Sequence, residues 1–205
     1  TAATRDLHSF PTRRSSDLNG FEHDASRRAN FINWIKGQQP DILAMTELVG
    51  FTEKDLGQLA SEYGHKYYAI VKEEGYPVGI TSNEPITVVK KQMEGFWHGM
   101  LHVKTHGLDM IVTHLSPHDW KFRLKEAQML TSYIQDNQLD NCMVMGDFNA
   151  YSPFDADWVE THAQLIENMQ KWDAEQEAYR NMRDGRFDYS DRKSTRLNSS
   201  HSEIS

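Results

Sequence analysis

Residues 141–149 read Asn-Cys-Met-Val-Met-Gly-Asp-Phe-Asn, an apolar run that ends in glycine and aspartate. The run predicts a short buried strand that leads to Asp147. Residues 108–114, Leu-Asp-Met-Ile-Val-Thr-His, and residues 41–47, Asp-Ile-Leu-Ala-Met-Thr-Glu, have the same form. Polar side chains therefore follow three apolar runs, at Asp147, His114 and Glu47, and Asn149 lies just beyond the first. Because ligands collect beyond the carboxyl ends of strands in open α/β sheets, we expect these side chains to form a site.

The rest of the chain alternates between helical and strand patterns. Apolar residues at helical spacing predict helices over 26–36 (capped by Ser26), 52–63, 119–137 and around 158–169. Two-fold or continuous apolar patterns predict further strands over 67–71, 78–81, 86–89 and 100–104. His106-Gly107 lies between two strand patterns, as a tight hairpin turn would. Mixed sheets covered by helices are the natural arrangement for this order of elements.

Composition indicates a globular domain. The chain has 205 residues, of which 38% are hydrophobic and 25% charged, enough for one domain with a sizeable core. Its apolar runs are far too short to span a bilayer. Cys142 is the single cysteine, so no intrachain disulfide can form, and its apolar neighbours favour a small buried hydrophobe over a nucleophile. Cytoplasmic and secreted locations both remain compatible with these features.

The two ends differ in composition from the rest, as disordered tails do. A more specific interpretation is available, because residues 8–18, HSFPTRRSSDL, resemble the translation of a common sequencing-library adapter. Residues 191–201, DRKSTRLNSSH, resemble the translation of the opposite adapter. We therefore expect residues 1–18 and 191–205 to be adapter-derived and residues 19–190 to be the biological segment.

The net charge argues against extended nucleic acid as the substrate. The whole chain has a formal charge of −8, and each adapter-like end carries three basic and two acidic residues, or +1, so the segment between them carries −10. A protein that binds many backbone phosphates is usually basic. A small phosphoester is the better expectation.

Each polar strand end also has a simpler interpretation when it is taken alone. A carboxylate after a strand is more often a cap or turn residue, Asp147-Phe-Asn149 suits an Asx turn, and a single His is more often structural. As a ligand set, Glu47 and Asp147 offer the hard anionic oxygens that Mg²⁺ prefers.

The spacing of three histidines imitates a zinc site. His98, His102 and His106 recur every four residues, which would align them on one face of a helix. The surrounding pattern is that of a strand, on which four residues span about 13 Å, so consecutive members could not chelate one ion. We therefore do not expect zinc there.

Taken together, the motifs resemble the endonuclease/exonuclease/phosphatase family. Residues 40–47 (PDILAMTE) are similar to its "PDIL..E" motif, residues 79–86 to its central segment, and residues 113–117 (THLSP) to its phosphate-contact strand. Arg123 and Glu126 match its "R..E" spacing, and residues 146–150 (GDFNA) resemble its "GDFN" signature. The resemblance implies a four-layer α/β/β/α sandwich of two mixed sheets, similar to deoxyribonuclease I and incomplete at both ends.

The resemblance also implies roles for the site residues. Glu47 would bind Mg²⁺, with Mn²⁺ as the alternative ion, and His114 and Asn149 would donate hydrogen bonds to phosphate. Asp147 would orient or activate the attacking water. For His118 and Trp120, which follow the phosphate-contact motif, we favour helix-start and core roles over substrate contact. The implied function is hydrolysis of a small phosphomonoester or phosphodiester; a nuclease of the same fold and a non-catalytic binding domain are the alternatives.

Two features of the family pattern are missing. Asn19-Gly20-Phe21 resembles the end of its first strand, which would place the family's metal-site asparagine at Ser16. The aspartate-histidine pair of its last strand has no counterpart, since the last histidine, His201, lies in the adapter-like end. We therefore expect the 205 residues as written to be poorly active and less stable than the intact protein.

Overall fold

A computed structural model of the protein describes residues 18–150, 156–175, 182–183 and 186–187. The first half contains a turn of left-handed backbone at Asn19–His23, helices α1 (Ala25–Gln38) and α2 (Glu53–Glu62), and strands β1 (Ile42–Met45), β2 (Tyr67–Ile70), β3 (Gly79–Ser82) and β4 (Thr87–Gln92). The second half contains strands β5 (Met100–Thr105), β6 (Leu108–His114), β7 (Cys142–Asp147), β8 (Met182–Arg183) and β9 (Arg186–Phe187), and helices α3 (Trp120–Asp136), α4 (Ala156–Thr161) and α5 (Ala163–Glu175).

Within the described residues, the strands form two main sheets and a short ribbon. The first sheet has the order β1-β3-β2 and is antiparallel, and the second has the order β4-β5-β6-β7. The second sheet is mixed, because β6 pairs antiparallel with β5 and parallel with β7. Strands β8 and β9 pair only with each other in this part of the chain.

Three apolar clusters separate four layers. Leu56 and Leu59 of α2 and Ile32 of α1 pack with residues of the first sheet. Inward-facing side chains of the two sheets, such as Ile80 and Val112, meet in a second cluster. A third cluster packs α3 on the outer face of the second sheet. The order helices, sheet, sheet, helix confirms the predicted sandwich in the part of the chain that the structure describes.

The side chains of a single strand alternate between two apolar clusters, which explains why the sequence forms these layers. Ala69 and Val71 face the second sheet, whereas Ile70 between them faces the helices. In β6, Met110 and Val112 face the first sheet and Ile111 faces α3. Successive side chains of a strand point to opposite faces, so a continuously apolar strand is stable only when both faces are covered.

The hairpin between β5 and β6 turns at the predicted dipeptide. His106 and Gly107 both have positive φ, 51° and 70°, as a type I′ turn requires. The turn fixes the register, which pairs Thr105 with Leu108 and Met100 with Thr113.

Helix starts follow their capping residues. Thr52 and Asp55 form a capping box at α2, and Asp119 caps α3 through the Lys121 N–H. The predicted cap of α1 is wrong by two residues. Asp24 accepts hydrogen bonds from the backbone N–H groups of Ser26 and Arg27, because its carboxylate lies outside the helix and Ser26 is already inside it. None of the described helices has the length and apolar character needed to cross a bilayer.

Candidate active site

His114 and Asp147 are brought together by parallel strand pairing. They end β6 and β7, and the register places them directly opposite each other. Nε2 of His114 lies 3.8 Å from Oδ2 of Asp147, and both side chains are buried. Two polar residues that are 33 positions apart in sequence thus form one edge of the sheet, as their positions after apolar runs predicted.

Gly146 permits the approach of these two strands. Its φ is +136°, and a Cβ atom built on it would lie 1.8 Å from the backbone oxygen of Thr113, its partner on β6. No side chain can occupy that space without moving the strand. The glycine of the GDFN motif is therefore required by the close pairing of β6 and β7.

Residues 147–149 form the predicted Asx turn. Oδ1 of Asp147 accepts a 2.7 Å hydrogen bond from the backbone N–H of Asn149, whose φ of 50° is in the left-handed region that asparagine tolerates. Nδ2 of Asn149 donates a 2.7 Å hydrogen bond to the oxygen of Leu115, and the Leu115 N–H donates to the oxygen of Asp147. The loops after β6 and β7 therefore hold each other in place.

Glu47 lies on the other sheet. It follows β1, is half-buried and has a φ of 57°. Its backbone oxygen accepts a 3.0 Å hydrogen bond from the Gly20 N–H, while the next residue, Leu48, is fully buried. Strands β1 and β7 contact each other across the interface between the sheets.

The acidic residues offer carboxylate oxygens, the donor type that Mg²⁺ prefers. In the described ranges, no three His, Cys, Asp or Glu side chains are grouped so that they could hold a metal ion by themselves. Mg²⁺ does not need such a cage, because one or two carboxylates usually hold it together with water and substrate phosphate. Glu47 and Asp147 provide this type of donor.

His98 is a site residue that the sequence reasoning missed. Its ring stacks on that of His114, with centroids 4.3 Å apart and planes at 29°. Burial, followed by the electrostatic interaction with His114, lowers the pKa of His98 to about 3. His98 is therefore neutral at physiological pH and supports His114 as a flat, uncharged surface.

Aromatic side chains surround His98. The ring of Tyr76 lies 5.6 Å from that of His98, and Trp97 contacts His98, His118 and Phe122 edge to face, at 6.4, 5.5 and 6.1 Å between centroids. The predicted core role is wrong for His118, which is exposed because the chain bends at the surface before α3 begins. Trp120 is the first residue of α3, as predicted for a helix start.

Arg123 and Glu126, which lie three residues apart on α3, hold the neighbouring loops in position. Both are fully buried. Glu126 accepts a 2.7 Å hydrogen bond from the Trp97 N–H and a 2.8 Å hydrogen bond from the Ser116 N–H, while Arg123 donates to the Ser116 oxygen at 2.9 Å. Burial raises the pKa of Glu126 to about 7, although these N–H donors and Arg123 lower it.

His102 and His106, the other two histidines that recur every four residues, have separate partners. His102, on β5, contacts the Tyr133 hydroxyl and an oxygen of Asp109 through its two ring nitrogens. Nδ1 of His106 faces Glu84 at 3.5 Å. The three histidines thus lie in three different environments along one strand and its ends.

Cys142 packs against apolar neighbours, as the sequence predicted, but it is less buried than predicted. It is partly buried beside the cluster under α3, and burial raises the pKa of its thiol to about 11. A thiol with this pKa is protonated at neutral pH, which makes it a poor nucleophile.

Comparisons with solved structures agree with the fold. An AP endonuclease from Archaeoglobus fulgidus is 21% identical with a TM-score of 0.57, and the match covers 83% of this chain and 63% of that one. TDP2 from D. rerio, in complex with a single-strand DNA product, is 16% identical with a TM-score of 0.51, over 69% of this chain and 61% of that one. This chain therefore spans about three fifths of the length of each. At these identities the likeness establishes the fold alone.

Sequence comparison identifies the family. No curated protein gives a significant match to the chain. The profile of the Endonuclease/Exonuclease/phosphatase family matches residues 15–189, which includes every strand and helix described above. The chain belongs to the endonuclease/exonuclease/phosphatase family.

Proposed function

We propose that the protein is a magnesium-dependent hydrolase of small phosphoesters. The observation that carries this proposal is the pairing of His114 with Asp147 at the ends of parallel neighbouring strands, 3.8 Å apart and buried, in a chain of this family. A hydrogen-bond donor beside a carboxylate suits a reaction in which charge develops on phosphoryl oxygens while water attacks.

Each residue has a role that its position supports. His114 donates a hydrogen bond to a phosphoryl oxygen, which stabilises negative charge there. Asp147 accepts a hydrogen bond from the attacking water and orients it, and Oδ1 of the same carboxylate is held by the Asn149 N–H. Asn149, whose Nδ2 also donates to the Leu115 oxygen, is the second donor that we assign to phosphate.

Glu47 is the residue that we assign to the metal. When bound, Mg²⁺ or Mn²⁺ would supply positive charge that offsets the charge of the transferring oxygens. The half-buried position of Glu47 after β1, and the contact of β1 with β7, support this assignment. Its left-handed backbone turns the chain sharply at the end of the strand.

The net charge supports a small substrate over a nucleic acid. A chain with a formal net charge of −8 repels a polyanion at long range. A substrate with few phosphates would approach with a much smaller electrostatic penalty. If the protein were a nuclease, its DNA affinity would fall steeply as salt is raised. A small phosphoester would show a shallow salt dependence.

Calorimetric titration with MgCl₂ tests the metal assignment without relying on turnover. We expect the wild-type chain to bind Mg²⁺ and the Glu47→Gln variant to lose at least tenfold in affinity, because the amide keeps the shape of the carboxylate without its charge. Glu160→Gln, an exposed position on α4, serves as the matched control and should bind like the wild type. Equal affinity in Glu47→Gln would remove Glu47 from the metal site.

A panel of phosphoesters separates the enzyme from a binding domain. Magnesium-dependent release of product from phosphomonoesters or phosphodiesters supports the hydrolase. Magnesium-dependent binding of inorganic phosphate, with no turnover of any phosphoester at high protein concentration, would favour a non-catalytic domain instead.

A further inference from the structure

Two aromatic rings beside the candidate active site are open to solvent. Trp97 is 49% exposed and Tyr76 is 46% exposed, yet both contact His98, which stacks on His114. Large aromatic side chains left on a surface are informative when they adjoin a polar site, because their burial by a ligand is favourable.

Trp97 has contacts on several sides despite its exposure. Its backbone N–H donates to the buried Glu126 carboxylate at 2.7 Å, and its ring meets His98, His118 and Phe122 edge to face. A ring that already packs against its neighbours has less conformational freedom to lose when a ligand stacks on it. Trp34 on α1 provides a contrast, because it is 60% exposed and lies in the helical layer that covers the first sheet.

The exposed rings of Trp97 and Tyr76 are connected through His98 to His114, the residue that we assign to phosphate. The centroids of Trp97 and His98 are 6.4 Å apart, and those of His98 and His114 are 4.3 Å apart. A ligand whose phosphoryl group lies at His114 can therefore reach Trp97 or Tyr76 with the group that is attached to the phosphate.

We propose that Trp97, flanked by Tyr76 and His118, forms a stacking subsite for a planar aromatic ring attached to the phosphate of the substrate. This proposal rests on the proposed function, since it takes the phosphate position from His114. The ring can be an aryl group directly on the phosphate or a nucleobase one sugar away; both present the flat π face that stacks on indole. The substrate class is thus an aromatic phosphoester rather than an aliphatic one.

Calorimetry with non-hydrolysable phosphonates in the presence of Mg²⁺ tests the subsite. We expect wild-type protein to bind phenylphosphonate about tenfold more tightly than methylphosphonate, the ratio that corresponds to about 1.4 kcal/mol. Trp97→Ala should bring the ratio of the two affinities to about one, and Trp97→Phe should retain a clear preference for the ring. Trp34→Ala is the control and should keep the wild-type ratio.

A second pair of ligands distinguishes the source of the ring. Tighter binding of adenosine 5′-monophosphate than of ribose 5-phosphate, lost in Trp97→Ala, identifies a nucleobase; equal binding of that pair with a preference for phenylphosphonate identifies an aryl group. If Trp97→Ala does not fold, Trp97→Leu replaces it, because leucine keeps apolar bulk without a π face.

The possible failures are distinct. If methylphosphonate binds and neither ring-bearing ligand binds more tightly, the stacking subsite is wrong and the proposed function stands. If no phosphonate or phosphate binds in the presence of Mg²⁺, the proposed function fails and the subsite fails with it. An unchanged preference in Trp97→Ala also overturns the subsite.

Discussion

The backbone N–H of Trp97 donates a 2.7 Å hydrogen bond to the buried carboxylate of Glu126. The second oxygen of that carboxylate accepts from the Ser116 N–H, so one side chain of α3 fixes both the loop before β5 and the loop after β6. Those loops carry His98 and follow His114, respectively. The geometry of the candidate site therefore depends on a residue that does not touch the proposed substrate.

Glu126→Gln should destabilise the protein by about 1–3 kcal/mol, because the amide offers one acceptor oxygen where two backbone N–H groups need acceptors. The amide NH₂ would face one of those N–H donors. Urea unfolding of the two proteins at pH 7 measures the difference. An unfolding free energy equal to that of the wild type would show that the two hydrogen bonds contribute nothing to stability.

The same pair of proteins tests the titration of Glu126. The pKa of Glu126 rises from its ordinary 4.5 to about 7 on folding, so the folded state binds this proton more tightly than the unfolded state does. Its contribution to stability is complete below pH 4.5 and is lost as the pH rises through 7. The stability of the wild type relative to Glu126→Gln should therefore fall from pH 5 to about pH 8. A rise over that range would contradict the raised pKa.

His98 should remain neutral well below the ordinary pKa of histidine. Burial, followed by electrostatic interaction with His114 and other neighbours, lowers its pKa from 6.5 to about 3. Its contribution to stability is therefore present above pH 6.5 and is lost as the pH falls toward 3. In NMR titrations, its ring protons should show no midpoint between pH 8 and pH 5. His98→Phe keeps a flat ring against His114 and assigns the resonance by its absence. A midpoint near 6.5 would show that the ring is solvated.

Gly146→Ala should destabilise the protein by about 3 kcal/mol or more, because the new methyl group meets the Thr113 oxygen and the strands must separate. Gly107→Ala is a matched control. Gly107 also has positive φ, but nothing lies within 4 Å of the built Cβ, so only the backbone term of about 1–2 kcal/mol applies. Thermal unfolding of both variants measures the difference. Equal losses would show that the close approach of β6 and β7 relaxes freely.

Much of this arrangement follows from local patterns in the sequence. The apolar runs before His114 and Asp147 predicted two strands, and their parallel pairing places the two side chains side by side at the ends of these strands. The prediction that both strands are buried holds for most of β6 but is wrong for β7, which is the last strand of the second sheet in the described part of the chain and leaves Met143 48% exposed. The His106-Gly107 turn was predicted from the residues that its positive φ angles favour. The cap of α1 was misplaced because Asp24 and Ser26 are both good capping residues two positions apart, and the pattern alone does not rank them.

His98 was missed because its role depends on tertiary pairing. In the sequence alone, His98 was one of three histidines spaced four residues apart. The signal was nevertheless available: counting outward from the predicted turn pairs Met100 with Thr113, which brings the residues just before β5 beside His114. The support that Glu126 gives to Trp97 had no such signal, since a side chain on α3 selects that loop only after the layers have packed.

The hydrolysis of bis(p-nitrophenyl) phosphate with Mg²⁺, by wild-type protein and by Asp147→Asn prepared identically, tests the central claim most directly. Asparagine can still accept the Asn149 N–H, so the Asx turn survives while the negative charge that orients water is removed. We predict slow but magnesium-dependent release of p-nitrophenol by the wild type and a loss of at least about 100-fold in Asp147→Asn, with no change in unfolding temperature. Hydrolysis at the wild-type rate by Asp147→Asn would contradict the account.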